Sequence, residues 1–157
     1  KIGFSLYYPS ELEYLFGKRI DFDIVQIPYS LFDRRFESYF MAIAIARYVF
    51  PVRSVFLQGL IFKDPKKLAI KFSEIRQKLL YIKMLSKKNE LPISSICLNY
   101  VFMNSYIDRV IIGVDNIQNL KENMNSLQKK EEAKFIMADV KKLKVDNEKI
   151  ILPINWN

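Results

Sequence analysis

The residues able to do chemistry in this chain are the polar and small ones that directly follow its short apolar runs. Ser5 closes Ile2–Ser5, and Gln26 and Tyr29 lie at the end of the run that begins at Phe22. Phe56-Leu57-Gln58-Gly59 end the run from Val52, and Gly113-Val114-Asp115 follow Arg109-Val110-Ile111-Ile112. In a parallel α/β fold the C-terminal strand ends collect ligand-binding groups, so these positions would share one end of the molecule. Gln26 carries both a carbonyl and an amide. It suits either a neighbouring loop backbone or a planar, amide-bearing ligand. Gly59 permits close approach of backbone to an anion. The residues that are missing narrow the chemistry further. Among 157 residues there is no histidine, and Cys97 is the one cysteine. That excludes, within this chain, a disulfide framework, a Cys/His zinc site, a Ser/His or Cys/His nucleophile pair and a histidine general base. Asp21, Asp23 and Asp33 lack metal-ligand spacing. Cys97, between Ile96 and Leu98, reads as core packing. A lone cysteine suits a reducing compartment, so a cytoplasmic location is expected.

The elements that must position these residues alternate. Strands are predicted at Ile2–Ser5, Phe22–Ile27, Val52–Phe56 and Arg109–Ile112, the last buried on both faces. Helices are predicted from Ser10 to Gly17, Arg35 to Arg47, Pro65 to Lys88, Pro92 to Met103, Asn116 to Ser126 and across 129–142, with a tail over 143–157. The order β-α-β-α-β-α-α-β-α-α implies a parallel sheet with right-handed crossovers. Four such strands suit a small open sheet or half of a (β/α)₈ barrel, because a complete barrel takes about 250 residues.

The net charge of +8 is concentrated: residues 63–88 carry nine Lys/Arg against Asp64 and Glu74. Leu68, Phe72, Ile75, Leu79 and Ile82 recur at steps of four and three, which makes this an amphipathic helix with its lysines in solvent. A nucleic-acid partner is not expected, since the tyrosines and lysines fall into no groove- or strand-binding motif. Nor is a membrane span, because the most apolar stretch, Tyr39 to Val52, contains Arg47 and Pro51 and falls short of about 20 residues. The chain opens at Lys1 without a methionine or a signal-peptide pattern and reads like the middle of a protein.

The stretches IGFSLYYPSELEYL, DFDIVQIPYSLFDRR, VRSVFLQGLIF and RVIIGVDNIQNLKEN, with the closing ILPINW, resemble the aldo/keto reductase family. The most specific piece is Gly113 followed by Glu122-Asn123, which is similar to the family's cofactor-adenosine motif. The resemblance covers nearly the whole chain but only the family's second half, strands five to eight of its TIM barrel. It implies an NAD(P)H-dependent carbonyl reductase, in which hydride passes from nicotinamide to a carbonyl carbon and a tyrosine protonates the oxygen. A lysine and an aspartate tune that tyrosine, and a histidine orients the substrate. This tetrad belongs to the family's first four strands, so no catalytic residue is expected here.

Carried over residue by residue, the resemblance implies that Ser5 and Gln26 bond the nicotinamide carboxamide, with Tyr29 among the cofactor-facing residues. Leu6 stands where the family commonly has Asn. Arg53 or Ser54 occupies the region where many relatives place an aromatic on the nicotinamide face. Phe56, Leu57, Gln58 and Gly59 would line the pyrophosphate through backbone N–H groups. Glu122 and Asn123 would bond the adenine, with Gly113 opening the motif and Asn119 where relatives often have Gln or Arg. Asp115 lies where NADPH-preferring relatives often carry Ser, Lys or Arg. A carboxylate about 4 Å from a phosphate charge costs on the order of 4 kcal/mol at an effective dielectric near 20. Asp115 therefore favours NADH, unless it serves only to cap the following helix. The expected partners are a small carbonyl substrate and either the missing N-terminal half or a second copy covering the open sheet edges. The uncharged run Met41-Ala42-Ile43-Ala44-Ile45 is expected to belong to an association surface. The alternative is a catalytically inactive half-barrel that serves as a nucleotide-binding or oligomerisation module.

Overall fold

The computed structural model describes residues 1–156. Four parallel strands lie side by side in chain order: β1 (Gly3–Ser5), β2 (Ile24–Pro28), β3 (Pro51–Arg53) and β4 (Arg109–Val110). Chain-order parallel pairing requires a crossover between successive strands, and helices supply it. The crossovers contain α1 (Pro9–Gly17), then α2 (Phe40–Ile45), then α3 (Arg76–Lys88) and α4 (Ile93–Phe102). After β4 come α5 (Ile117–Leu127), α6 (Lys130–Lys134), α7 (Met137–Val140) and α8 (Glu148–Ile151). This is an α/β fold with a parallel sheet, flanking helices and a C-terminal helix.

Strand alternation divides the sheet into two unlike faces. Val25, Ile27 and Val52 are fully buried and share one core with Leu12, Ile43, Ile75, Leu79, Ile82 and Ile96 of the helical side. Their neighbours Ile24 and Gln26 are only half-buried, and Ser5 is exposed. Register is fixed by backbone as well as by packing. Gly3 pairs with Ile24, and a Cβ at Gly3 would overlap the Ile24 carbonyl, so only glycine allows β1 to lie this close. Asp108 ties β4 to β3 by accepting from the Phe50 N–H at 2.7 Å.

The loop after β2 is stapled to the C-terminal helices. Arg35 holds Asp33 through Nε at 2.9 Å and Nη2 at 2.8 Å, and reaches Glu148 at 3.2 Å. Buried Arg34 donates to the carbonyls of Leu31 and Lys141, and Val145 N–H donates to Phe32. Beneath the loop, Tyr29 and Tyr100 donate to the Glu37 carboxylate at 2.8 and 3.1 Å. Burial raises both phenols, Tyr100 to about 12.

Several predicted boundaries are corrected. The first helix starts at Pro9, not after Ser10; the Glu11 carboxylate accepts from the Tyr8 and Tyr7 N–H groups and closes its first turn. Only Phe40–Ile45 is α-helical in the predicted 35–47 helix, preceded by a 3₁₀ turn at Glu37–Tyr39. β3 stops at Arg53 because Ser54 takes φ 66°. The basic segment is two 3₁₀ turns, Pro65–Lys67 and Ile70–Ile75, followed by α3, because Leu68 and Ala69 are extended between them. Its apolar stripe survives the break: Phe72, Ile75, Leu79 and Ile82 are buried. β4 is two residues long and is not buried on both faces. Arg109 is exposed and Val110 half-buried, and Ile111, just past the strand, is 47% exposed. The 129–142 helix is split into α6, α7 and a 3₁₀ turn, and the predicted tail contains α8. The end of that tail, residue 157, lies outside the described residues. In α2, Met41 and Ile45 are 62% and 75% exposed, whereas Ile43 is buried. Among the described residues no helix is long and apolar enough to cross a membrane.

Candidate functional site

Beyond the C-terminal ends of β3 and β4 lies a cleft of about 620 Å³. Its first wall is the segment after β3, carrying Ser54, Phe56, Gln58, Gly59 and Phe62. The second is the segment after β4 and the start of α5, carrying Gly113, Asp115, Asn119, Glu122 and Asn123. The first wall is shaped by a run of left-handed residues. Leu57, Gln58 and Gly59 have φ of 47°, 48° and 77°, a reversal that glycine tolerates and the other two adopt under constraint. Leu57 side chain is buried and anchors the turn, while Phe56 and Phe62 rings meet at 5.2 Å. The second wall is set by a cap: Asn116 Oδ1 accepts from the Asn119 N–H at 2.8 Å and starts α5. Asn116 is thus the capping residue, and Asp115 stands free of that role as part of the cleft lining.

Polar contacts at the C-terminal end of α5 tie the helix that carries the second wall to α4. Ser95 Oγ and Asn99 Nδ2 donate to the Ser126 carbonyl at 3.0 and 2.9 Å, and the Ser94 and Ser126 hydroxyls lie 2.7 Å apart. Chemically the cleft is acceptor-rich. It presents the carboxylates of Asp115 and Glu122 and the amides of Gln58, Asn119 and Asn123, with no lysine or arginine in its lining. Gln118 donates to Glu122 Oε1 at 2.9 Å, and Asn123 is almost buried. Among the described residues no cluster of three or more His, Cys, Asp or Glu could hold a metal ion.

Phe56, Gln58, Gly59, Gly113, Asp115, Asn119, Glu122 and Asn123 therefore meet in one cleft. Ser5 and Gln26 meet elsewhere, at the ends of β1 and β2, where Ser5 Oγ donates to Gln26 Oε1 at 2.8 Å. Arg53 lies beside that pair, with Nη2 on the Leu6 carbonyl at 3.0 Å and its guanidinium 4.3 Å above the Tyr7 ring. Tyr29 is not brought to either place: it is buried against Phe40 and Tyr100, with its hydroxyl spent on Glu37. The expected backbone donors of the Leu57 turn are also partly used up. Leu57 N–H and Gly59 N–H each donate at 2.9 Å, to the Ser54 and Phe56 carbonyls. Sequence reasoning missed Phe62, Ser94, Ile111 and Ile112 as cleft residues. The apolar LIF after Gly59 was the available signal for Phe62; Ser94 arrives only through the packing of α4 on α5.

The model of the aldo/keto reductase family matches residues 1–143. Among solved structures, the chain is similar to the aldo-keto reductase AKR11C1 from Bacillus halodurans in its holo form, with a TM-score of 0.59, 18% identity and coverage of 85% of this chain and 49% of that one. It is similar to the same degree to a thermostable aldo-keto reductase, Tm1743, solved with the inhibitor epalrestat: TM-score 0.59, 18% identity, 90% of this chain and 47% of that one. The chain thus spans about half the length of the solved structures it matches. Curated protein sequences give no significant match. The family match runs through all four strands and both walls of the cleft, and on that basis the chain belongs to the aldo/keto reductase family.

Proposed function

We propose that residues 1–157 form a single half-barrel, the C-terminal and cofactor-facing half of an NAD(P)H-dependent carbonyl reductase, and that the β3–β4 cleft takes the adenosine end of the dinucleotide. One observation carries the reading. Two segments far apart in sequence, 56–59 and 113–123, both nominated by the family resemblance, line the same cleft. The donor set fits an adenosine: Glu122 can accept from an exocyclic amine, and the Asn119 and Asn123 amides can pair with ring nitrogens. Asp115, in a lining without a cation, suits a ribose hydroxyl better than a phosphate and supports a preference for NADH.

At the other end, Ser5 occupies Gln26 Oε1, which leaves the Gln26 amide hydrogens to donate to a carboxamide carbonyl. The cofactor, when bound, supplies the hydride for a small carbonyl substrate. This chain binds and orients it; the proton donor and its tuning residues would come from an N-terminal half pairing with the open edges of the sheet at β1 and β4. A cytoplasmic setting accords with the single, buried Cys97, whose thiol burial pushes up and keeps unreactive. Titrating NADH and NADPH into the chain tests the reading: NADH binds more tightly, and Glu122→Ala weakens both. Equal or tighter NADPH binding contradicts the role of Asp115, and loss of neither affinity in Glu122→Ala contradicts the placement of the adenosine.

A second reading, an inactive half-barrel that pairs with another copy, is supported by the exposed Ile2 and Ile111 flanking the outer strands and by Met41 and Ile45 on α2. Mass spectrometry of the polypeptide from its native source separates the two. A mass near twice 18.6 kDa favours the reductase, and 18.6 kDa favours the inactive module.

A further inference from the structure

We infer that Arg53 makes the nicotinamide end of this site select the reduced, uncharged ring over the oxidised, cationic one. The inference rests on the cofactor reading above. Pairing of Ser5 with Gln26 and of Pro28 with Arg53 puts Ser5, Gln26 and Arg53 on one face of the sheet, because residues two apart in a strand share a face. The guanidinium is pinned there from three sides. Nη2 donates to the Leu6 carbonyl at 3.0 Å, Nη1 donates to Ser54 Oγ at 3.2 Å, and Cζ lies 4.3 Å from the Tyr7 ring centre. Among the described residues no carboxylate pairs with it. The positive charge therefore stands uncompensated next to the Ser5–Gln26 pair.

A neutral aromatic side chain at this position would stack on either ring state and, by cation–π attraction, favour the cationic one. A guanidinium does not. It can lie against the π face of the neutral dihydronicotinamide, and it repels a ring that itself carries a positive charge. The adenosine and pyrophosphate are common to both forms of the cofactor, so the affinity ratio isolates the ring. A site of this kind holds the cofactor ready to give hydride and releases it after it has done so, which suits carbonyl reduction over alcohol oxidation.

The test is calorimetric titration of this chain with NADH, NAD⁺ and ADP-ribose, for wild type, Arg53→Gln and Arg53→Lys. A single charge–charge repulsion in a partly exposed site gives on the order of tenfold in affinity, so wild type should bind NADH about tenfold more tightly than NAD⁺. The ratio should fall towards one in Arg53→Gln and persist in Arg53→Lys, which keeps the charge without the stacking plane. If ADP-ribose binds and the ratio is the same in wild type and Arg53→Gln, the inference is wrong while the cofactor reading stands. If ADP-ribose does not bind wild type, both are wrong. Should Arg53→Gln fail to fold, the wild-type ratio decides: it narrows with added salt if charge sets it, and a salt-independent ratio overturns the inference.

Discussion

The two ends of the strand-end surface are built differently. At the β3–β4 end, a left-handed turn and a capped helix enclose a cleft, and nearly every polar group in it is an acceptor or an amide. At the β1–β2 end there is no enclosure. One hydrogen-bonded pair, Ser5 and Gln26, lies on an open face beside a stacked arginine. The difference follows from what each end needs to be complete. The cleft draws both walls from this chain, whereas the β1–β2 end has a floor here and no opposite wall. Binding of the adenosine portion should thus be an enclosed contact, whereas the nicotinamide portion meets a one-sided floor on which Ser5, Gln26 and Arg53 act without an opposite wall.

Substitutions can separate the two ends. The largest effect is expected from Gly3→Val, which forces β1 off the Ile24 backbone. It should destabilise the fold by about 1–3 kcal/mol in a denaturant titration. It should also dissolve the Ser5–Gln26 pair while ADP-ribose binding at the far end persists; loss of both together would show that the ends are not independent. Asn123→Ala acts at the opposite end. It removes a nearly buried amide from the cleft and should weaken ADP-ribose by roughly tenfold, about 1.4 kcal/mol, with little change in melting temperature. Asn116→Ala deletes the α5 cap and should cost about 1 kcal/mol of stability, loosening the second wall and leaving the first intact.

The smallest effect concerns pH. Tyr100 is raised from its ordinary value of 10 to about 12 in the fold, so the unfolded chain releases its proton first. The stability this burial represents is complete below pH 10 and is lost as pH rises towards 12. Denaturation midpoints should fall across that window, and Tyr100→Phe should flatten the decline.

The cleft was more legible in the sequence than the elements that carry it. Glu122 and Asn123 sit on a helix whose start is written locally, by Asn116 and the apolar run before it, so their placement needed little tertiary information. Strand existence was equally local, since short β-branched runs bounded by Pro and Gly have few other readings. What failed depended on contacts between distant segments. An apolar stripe running through Leu68 predicts one continuous basic helix; the backbone there is extended, and the stripe is kept by 3₁₀ turns instead. Arg109–Ile112 looked buried on both faces because its residues are apolar, but the sequence of a strand does not say whether a second layer exists to cover it. Tyr29 follows a strand end and reads as a ligand group. Only the fold brings Glu37 and Tyr100 to its hydroxyl and turns it into the core.

The central claim is that the β3–β4 cleft, by itself, receives the adenosine end of a dinucleotide. Amide chemical-shift mapping with ADP-ribose on the ¹⁵N-labelled chain tests it most directly. The account predicts saturable shifts confined to residues 56–59 and 113–123, with the β1–β2 end unmoved. Shifts centred on Ser5 and Gln26, or no saturable shifts at all, would contradict it.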